Sequence, residues 1–325
     1  MKRKIYFRAD ADQRIGYGHF IRTLALADML KDDYECVFYL QTPSDYQKKE
    51  LSNVCHFVEL PADDSKFDLF LDSLCGNEIV VLDNYYYTCE YETQIRKKGC
   101  KVVLIDNLHL RHTCADAVIG FLVGLEKKDF SIEEYTKLYL GPDYTLLRRP
   151  FLYQLQYTHN QIKDYNNLNI VISFGGSDSC GVAVALTNLL SESDCVRCIS
   201  LIGNHKAGLV ESNKIIVKSN LSAQEMCEEF VSNDLAILPA STTMLEALAC
   251  GIIIIGGYFV DNQLNNYKQY KHNKVMIGCG DLTISENREK VKEIVEMGFY
   301  KKEVNTVGFI PSNVKDNILS IFHSL

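Results

Sequence analysis

The chain has 325 residues, of which 47% are apolar and 23% charged, and its formal charge is −8. That length overfills one ordinary core and predicts two domains of about 150 residues each. The acidic balance excludes nucleic acid and anionic membrane as default partners, because both require a basic face.

No run approaches the ~18 apolar residues of a membrane span. The basic start Met1-Lys2-Arg3-Lys4 is followed by only Ile5-Tyr6-Phe7, too short for a secretory signal. A cytoplasmic protein is therefore expected. Residues 4–8 read as the first strand, and 20–30 as a helix apolar nearly all round. Residues 35–40, 54–58, 79–82, 101–105 and 117–119 continue as strands separated by helix-length segments. Such alternation predicts a doubly wound parallel sheet. Residues 151–167, rich in Gln, Asn and Tyr, read as a linker between a first domain over 1–150 and a second over 168–325. In the second, 169–173, 198–202, 214–217, 235–238 and 251–255 read as strands and 182–190 as a helix. The fold class is α/β, two Rossmann-like domains facing a cleft, with the last helix packing back on the first domain.

Ligands of such sheets bind at the carboxyl ends of strands, and both glycine-rich turns fall there. The first is Gly16-Tyr17-Gly18-His19, between the first strand and the first long helix. Glycines admit a close ligand, and free N–H groups at a helix start attract anions. A dinucleotide fingerprint fails here: Ile21 occupies its third glycine position, and Gln41 stands where an acidic ribose ligand is needed. A histidine at a helix N-terminus is biased toward the neutral form, which can accept a proton from water. It can equally be a residue that caps or packs. His109 and His112 flank Arg111 in a loop, where surface exposure is the simpler reading, and His56 reads as a core or rim residue.

The second turn is Gly175-Gly176-Ser177-Asp178, suited to a phosphate. Further on, Ser241-Thr242-Thr243 opens a helix over 244–250, as a cap or a phosphate site. Glu246 has the spacing of a capping box with Thr243, or can hold a ribose. Asp261-Asn262-Gln263 follows the next strand and opens another helix, with Asp261 a fitting cap. The twelve cysteines are scattered. Cys195–Cys198 is a C-x-x-C without a second pair at metal-site spacing, so free, mostly buried thiols and no metal are expected.

These pieces match one family in order and spacing. The matching stretches are Arg8-Ala9-Asp10-Ala11, Ile15 to Arg22, Leu82-Asp83-Asn84-Tyr85, Ile105-Asp106-Asn107, Gly141 to Arg148, Ser173 to Asp178, Ser241 to Gly251, and Asp261-Asn262-Gln263. The sequence resembles the UDP-2,4-diacetamido-2,4,6-trideoxy-β-L-altropyranose hydrolases of pseudaminic acid biosynthesis, which are similar to MurG and have the GT-B fold. The resemblance implies His19 as the catalytic base and Tyr85 as an active-site tyrosine. It implies Gly175, Gly176, Ser241 and Thr242 at the diphosphate, Glu246 at the ribose and Asn262 at the substrate. Asp10, Gly16, Gly18, Arg22 and Gln263 lie in the same matching stretches and are expected substrate contacts. Asp12, Asn84, Pro150 and Ser179 depart from the family pattern without removing a proposed catalytic group. The implied reaction is hydrolysis at the anomeric carbon with inversion. It needs no carboxylate pair, because diphosphate leaves readily, and no cofactor or metal. A glycosyltransferase using the same donor, or a non-catalytic nucleotide-sugar binding module, would share the fold.

Overall fold

The computed structural model describes residues 2–11, 17–157, 166–175, 178, 180–203, 207–298 and 308–325. The chain divides into two compact units, unit 1 with Met1–Arg149 and Asn313–Leu325, and unit 2 with Pro150–Ser312. In unit 1 the strands are β1 (Lys4–Arg8), β2 (Glu35–Gln41), β3 (His56–Leu60), β4 (Ile79–Leu82), β5 (Lys101–Ile105), β6 (Ala117–Gly120) and β7 (Lys137–Leu140). Unit 2 has β8 (Leu168–Ser173), β9 (Val196–Ile202), β10 (Ile215–Lys218), β11 (Leu235–Pro239), β12 (Ile253–Tyr258) and β13 (Ile277–Asp281). The helices are α1 (Gly18–Leu30), α2 (Asp45–Ser52), α3 (Ser65–Asp72), α4 (Cys89–Lys97), α5 (Arg149–Gln154), α6 (Val182–Ser191), α7 (Ala223–Ser232), α8 (Thr242–Ala249), α9 (Leu264–His272), α10 (Ser285–Met297) and α11 (Val314–His323).

Unit 1 is a seven-stranded sheet in the order β3-β2-β1-β4-β5-β6-β7, parallel throughout. Unit 2 is a six-stranded parallel sheet in the order β10-β9-β8-β11-β12-β13. In each, the strand order reverses beside the first strand: between β1 and β4, and between β8 and β11. At such a switch point the helices leave on opposite faces and the strand ends open into a crevice. The continuous apolar runs Ile5-Tyr6-Phe7, Ile79-Val80-Val81-Leu82 and Ile170-Val171-Ile172 are buried, as strands covered on both faces require.

Two short strands escaped the pattern. β7 is an edge strand of four residues, partly exposed throughout. β13 carries Gly278 and Gly280, which interrupt its β-branched signature. β12 runs on through Gly256 and Gly257, past the expected end at 255. A Cβ on Gly256 would lie 1.9 Å from Leu238 O, and one on Gly257 would lie 2.0 Å from Gly280 O, so close backbone approach demands glycine at both. α1, apolar nearly all round, is buried on most sides because α11 packs against it and its Phe20 meets the Phe38 ring of β2, 5.8 Å between centroids. α11 is held within unit 1 by Asn317 Nδ2, which donates to Asp143 O at 3.1 Å, and by a Tyr34–Phe322 ring contact at 6.2 Å. Within the expected linker, α5 is helical and Phe151 is buried 6.3 Å from the Phe230 ring.

Candidate active site

β1 and β4 pair with Arg8 opposite Leu82, and Asp83 N donates to Arg8 O at 3.0 Å. The register therefore puts Asp83 level with the residues that follow β1. His19, the second residue of α1, is buried there and places its Nδ1 2.7 Å from Asp83 Oδ1. Arg22, one turn on, donates through Nε to Asp83 Oδ2 at 2.6 Å and through Nη2 to Oδ1. Thr23 Oγ1 donates to Oδ2 at 2.8 Å. The carboxylate thus accepts from three side chains of α1 and uses both oxygens twice. Burial pushes the Asp83 carboxyl up, but Arg22 and His19 outweigh it, and the group is held below the usual carboxylate range.

Asp83 can only accept, so Nδ1 of His19 carries the proton of that bond and Nε2 of the neutral ring is left as the acceptor. Arg22 Nη2 also lies 3.0 Å from Nδ1. Nη2 gives one proton to Asp83 Oδ1, the charged and closer partner, so Nδ1 need not accept from it. The structure adds a carboxylate that fixes the tautomer and would stabilise the protonated ring once formed. This is the orienting arrangement that general-base histidines use.

The Tyr85 ring meets His19 edge-on, 4.6 Å between centroids, and the residue is 55% exposed. Both line an open pocket with about 350 Å³ of empty volume, together with Asp83, Asn84, Leu104, Ile105, Asp106, Leu108, Leu110 and Arg111. Leu110 is 80% exposed. Asp106 turns the pocket wall: its Oδ1 accepts from Leu108 N at 2.8 Å and His109 N at 2.9 Å. His109 takes a left-handed backbone, φ 45°, and packs 5.2 Å from Phe130. Arg111 is tied to the buried Glu92 at 3.0 Å, and the other Glu92 oxygen accepts from Thr113 Oγ1 and Cys114 N, each at 2.7 Å.

Of the residues expected at the substrate in unit 1, His19, Tyr85 and Arg22 come together around Asp83. Gly18 opens α1 beside them, and Gly16 lies outside the described residues. Asp10 is placed differently. It is fully buried, pairs with Arg8 and Tyr86, and accepts from Gln41 N at 2.9 Å, so its carboxylate braces strand ends rather than lining the pocket. Asn84 locks onto the Asp10 backbone in both directions, at 2.7 and 3.0 Å. Asp83 and Asp106 were missed as site residues. The signal for Asp83 was its position at the end of the strand beside β1, which only the sheet order makes legible.

In unit 2, Gly175 follows β8 with φ 79° and open space where a Cβ would stand, and Gly176 lies outside the described residues. The Asp178 carboxylate accepts from Val182 N at 2.9 Å and Ala183 N at 2.7 Å. It therefore occupies the first N–H groups of α6 that an anion would otherwise use. α8 differs: its N-cap Ser241 makes no side-chain cap bond, and its first turn holds no acidic residue. Ser241 and Thr242 begin α8 at the end of β11, next to β8, and are partly exposed. The capping box between Thr243 and Glu246 is not formed, because the helix starts at Thr242 and Glu246 sits buried in its second turn. Asp261, Asn262 and Gln263 form a 3-10 turn before α9, with Val260 rather than Asp261 at its cap. Asn262 is exposed, and Gln263 Oε1 accepts from Phe259 N at 3.2 Å.

No protein-family profile matches the chain. An uncharacterised protein of Methanocaldococcus jannaschii is 28% identical across 82% of this chain, which spans 58% of that relative. MurG of Acinetobacter baumannii superposes with a TM-score of 0.61 at 11% identity, all of both chains covered. UGT2 of Phytolacca americana, solved with UDP-2fluoro-glucose and pterostilbene, reaches 0.67 at 14% identity over 100% of this chain and 99% of its own. The fold is of the GT-B type. HepE of Anabaena, in complex with UDP-glucose, gives 0.63 at 11% identity over 99% of this chain and 100% of its own. At such identities the likeness speaks for the fold alone.

Proposed function

We propose that the protein hydrolyses a UDP-linked 2,4-diacetamido-2,4,6-trideoxy sugar, with His19 as general base. The observation that carries this reading is the His19 Nδ1–Asp83 bond at 2.7 Å, which leaves Nε2 as a proton acceptor at the pocket wall. Water attacks the anomeric carbon, its proton passes to Nε2, and the carbon–oxygen bond to the diphosphate breaks with the electron pair leaving on UDP. Attack opposite the leaving group inverts the anomeric centre. Asp83 offsets the charge that His19 gains. The uncapped α8 N-terminus with Ser241 and Thr242 is the part of unit 2 assigned to the diphosphate, because free N–H groups there suit an anion. Glu246, Asn262 and Gln263 keep their assignment to the UDP-sugar from the family resemblance.

The test offers the protein UDP-linked 2,4-diacetamido sugars without an acceptor and follows UDP and free sugar by NMR. Release from wild type, falling about 10²–10⁴-fold in His19→Asn with UDP affinity retained, supports the reading. Release that needs an added acceptor makes the protein a glycosyltransferase, in which the same base deprotonates an acceptor hydroxyl. Unchanged release in His19→Asn removes the histidine from the mechanism.

A further inference from the structure

Unit 1 carries a second cluster of reactive side chains beyond the pocket wall. Cys89, the first residue of α4, and Cys114, just before β6, are joined as a disulfide. A His112 ring nitrogen and the two sulfurs lie within 4.8 Å of one another. His112 Nε2 is 3.1 Å from Glu133 Oε1, and that oxygen is 4.0 Å from Cys114 Sγ. His112 Nδ1 is 2.9 Å from Ser131 Oγ. The Cys195–Cys198 motif weighed in the sequence has no such third donor among the described residues.

We propose that, once reduced, Cys89 and Cys114 join His112 and Glu133 in binding a single Zn²⁺. Two thiolates, one imidazole and one carboxylate make a four-coordinate set of the kind zinc takes, and the sulfurs select it over harder cations. With Nε2 on the metal, Nδ1–H donates to Ser131 Oγ, the outer bond that zinc-ligating histidines make. His112 and Glu133 side chains are 43% and 41% exposed, so a cation reaches them from solvent.

The redox step balances with a dithiol reductant. It supplies two electrons and two protons, the Cys89–Cys114 bond breaks to two thiols, and the reductant closes its own disulfide. Zn²⁺ then displaces the two thiol protons to solvent. The metal does not enter the hydrolysis: it ties the start of α4 to the segment that carries Leu110 and Arg111 into the pocket wall.

The experiment uses the full chain and Co²⁺ as the spectroscopic probe. The oxidised protein should take up no Co²⁺. After reduction and removal of reductant it should bind one equivalent, with a thiolate-to-cobalt charge-transfer band and tetrahedral d–d bands, and Zn²⁺ should displace it. Cys89→Ser and Cys114→Ser should lose the band, and Ser131→Ala should weaken binding about tenfold or more. Cys195→Ser should change nothing. Equal Co²⁺ uptake by oxidised and reduced wild type, or a charge-transfer band that survives in Cys89→Ser, overturns the proposal without any appeal to activity or to a variant's folding.

Discussion

Asp83→Asn separates the proposed mechanism from a merely structural site. The side chain is fully buried, accepts from His19, Arg22 and Thr23, and has no spare oxygen lone pair. An amide keeps the shape but brings two protons of its own. Turned toward Thr23 and Arg22 Nε, its NH₂ meets donors; turned toward His19 and Arg22 Nη2, it forces His19 to carry its proton on Nε2, where no water proton can then be taken. Either way the base fails or the pocket strains. Loss of a correctly oriented general base predicts a fall in kcat of about 10²–10⁴, or ~3–5 kcal/mol of transition-state stabilisation. Arg22, 10% exposed at the side chain, is left with an unbalanced charge, and breaking a pair of that burial costs about 3–5 kcal/mol of stability. UDP release under saturating substrate reads the first number, and urea unfolding read at equilibrium reads the second. A kcat within about threefold of wild type, in a variant that is folded, refutes the orienting role of Asp83.

Tyr85→Phe keeps the ring edge against His19 and should leave kcat within about twofold, whereas Tyr85→Ala loses the contact and should cost about two- to tenfold, both read by the UDP-release assay. Stability should depend on Asp83 in acid. Its carboxyl is held low in the fold, so its contribution is complete above the unfolded value of about 3.9 and is lost as the pH falls through the folded value. Urea unfolding from pH 7 to pH 2 should show this limb, and Asp83→Asn should flatten it. Burial pushes the Cys279 thiol up to about 12 and, with Glu78 beside it, Cys100 up to about 11. Mass-resolved alkylation of the native protein at pH 8 should therefore label the exposed Cys75 and Cys180 and spare Cys100 and Cys279. Excess chelator should leave UDP release by the disulfide form unchanged; a loss restored by added divalent metal would place a cation in the reaction.

The strands that frame both switch points were legible because buried parallel strands are short, β-branched and continuous. His19 was legible because a glycine turn and an apolar helix bracket it. Its partner was not: Asp83 is 64 positions away, at the end of a strand whose neighbour the sequence alone does not identify. Asp10 was an expected substrate contact because it lies in a stretch that matches the family, yet in the fold the buried Arg8 pairs with it. Thr243 and Glu246 had the spacing of a capping box, but Ser241 and Thr242 are equally good starts, and the helix takes the earlier one. The Cys89–Cys114 pairing spans 25 residues of irregular spacing, which no local pattern announces, so the expectation of free thiols missed it.

In chain order unit 2 is a guest within unit 1. The backbone leaves its host after Arg149 and comes back at Asn313. Departure and return are fastened to one carboxylate: Asp32 Oδ2 lies 3.1 Å from Arg149 Nη2 and 3.5 Å from Lys315 Nζ. A ribosome must finish the guest before α11 emerges, so the face of α1 that α11 covers stays bare through much of synthesis, and the helix bearing His19 is sealed late. The same geometry makes the host separable. Joined by a short linker between its two fastened points, unit 1 has every strand of its own sheet and its closing helix, and could be produced without the guest.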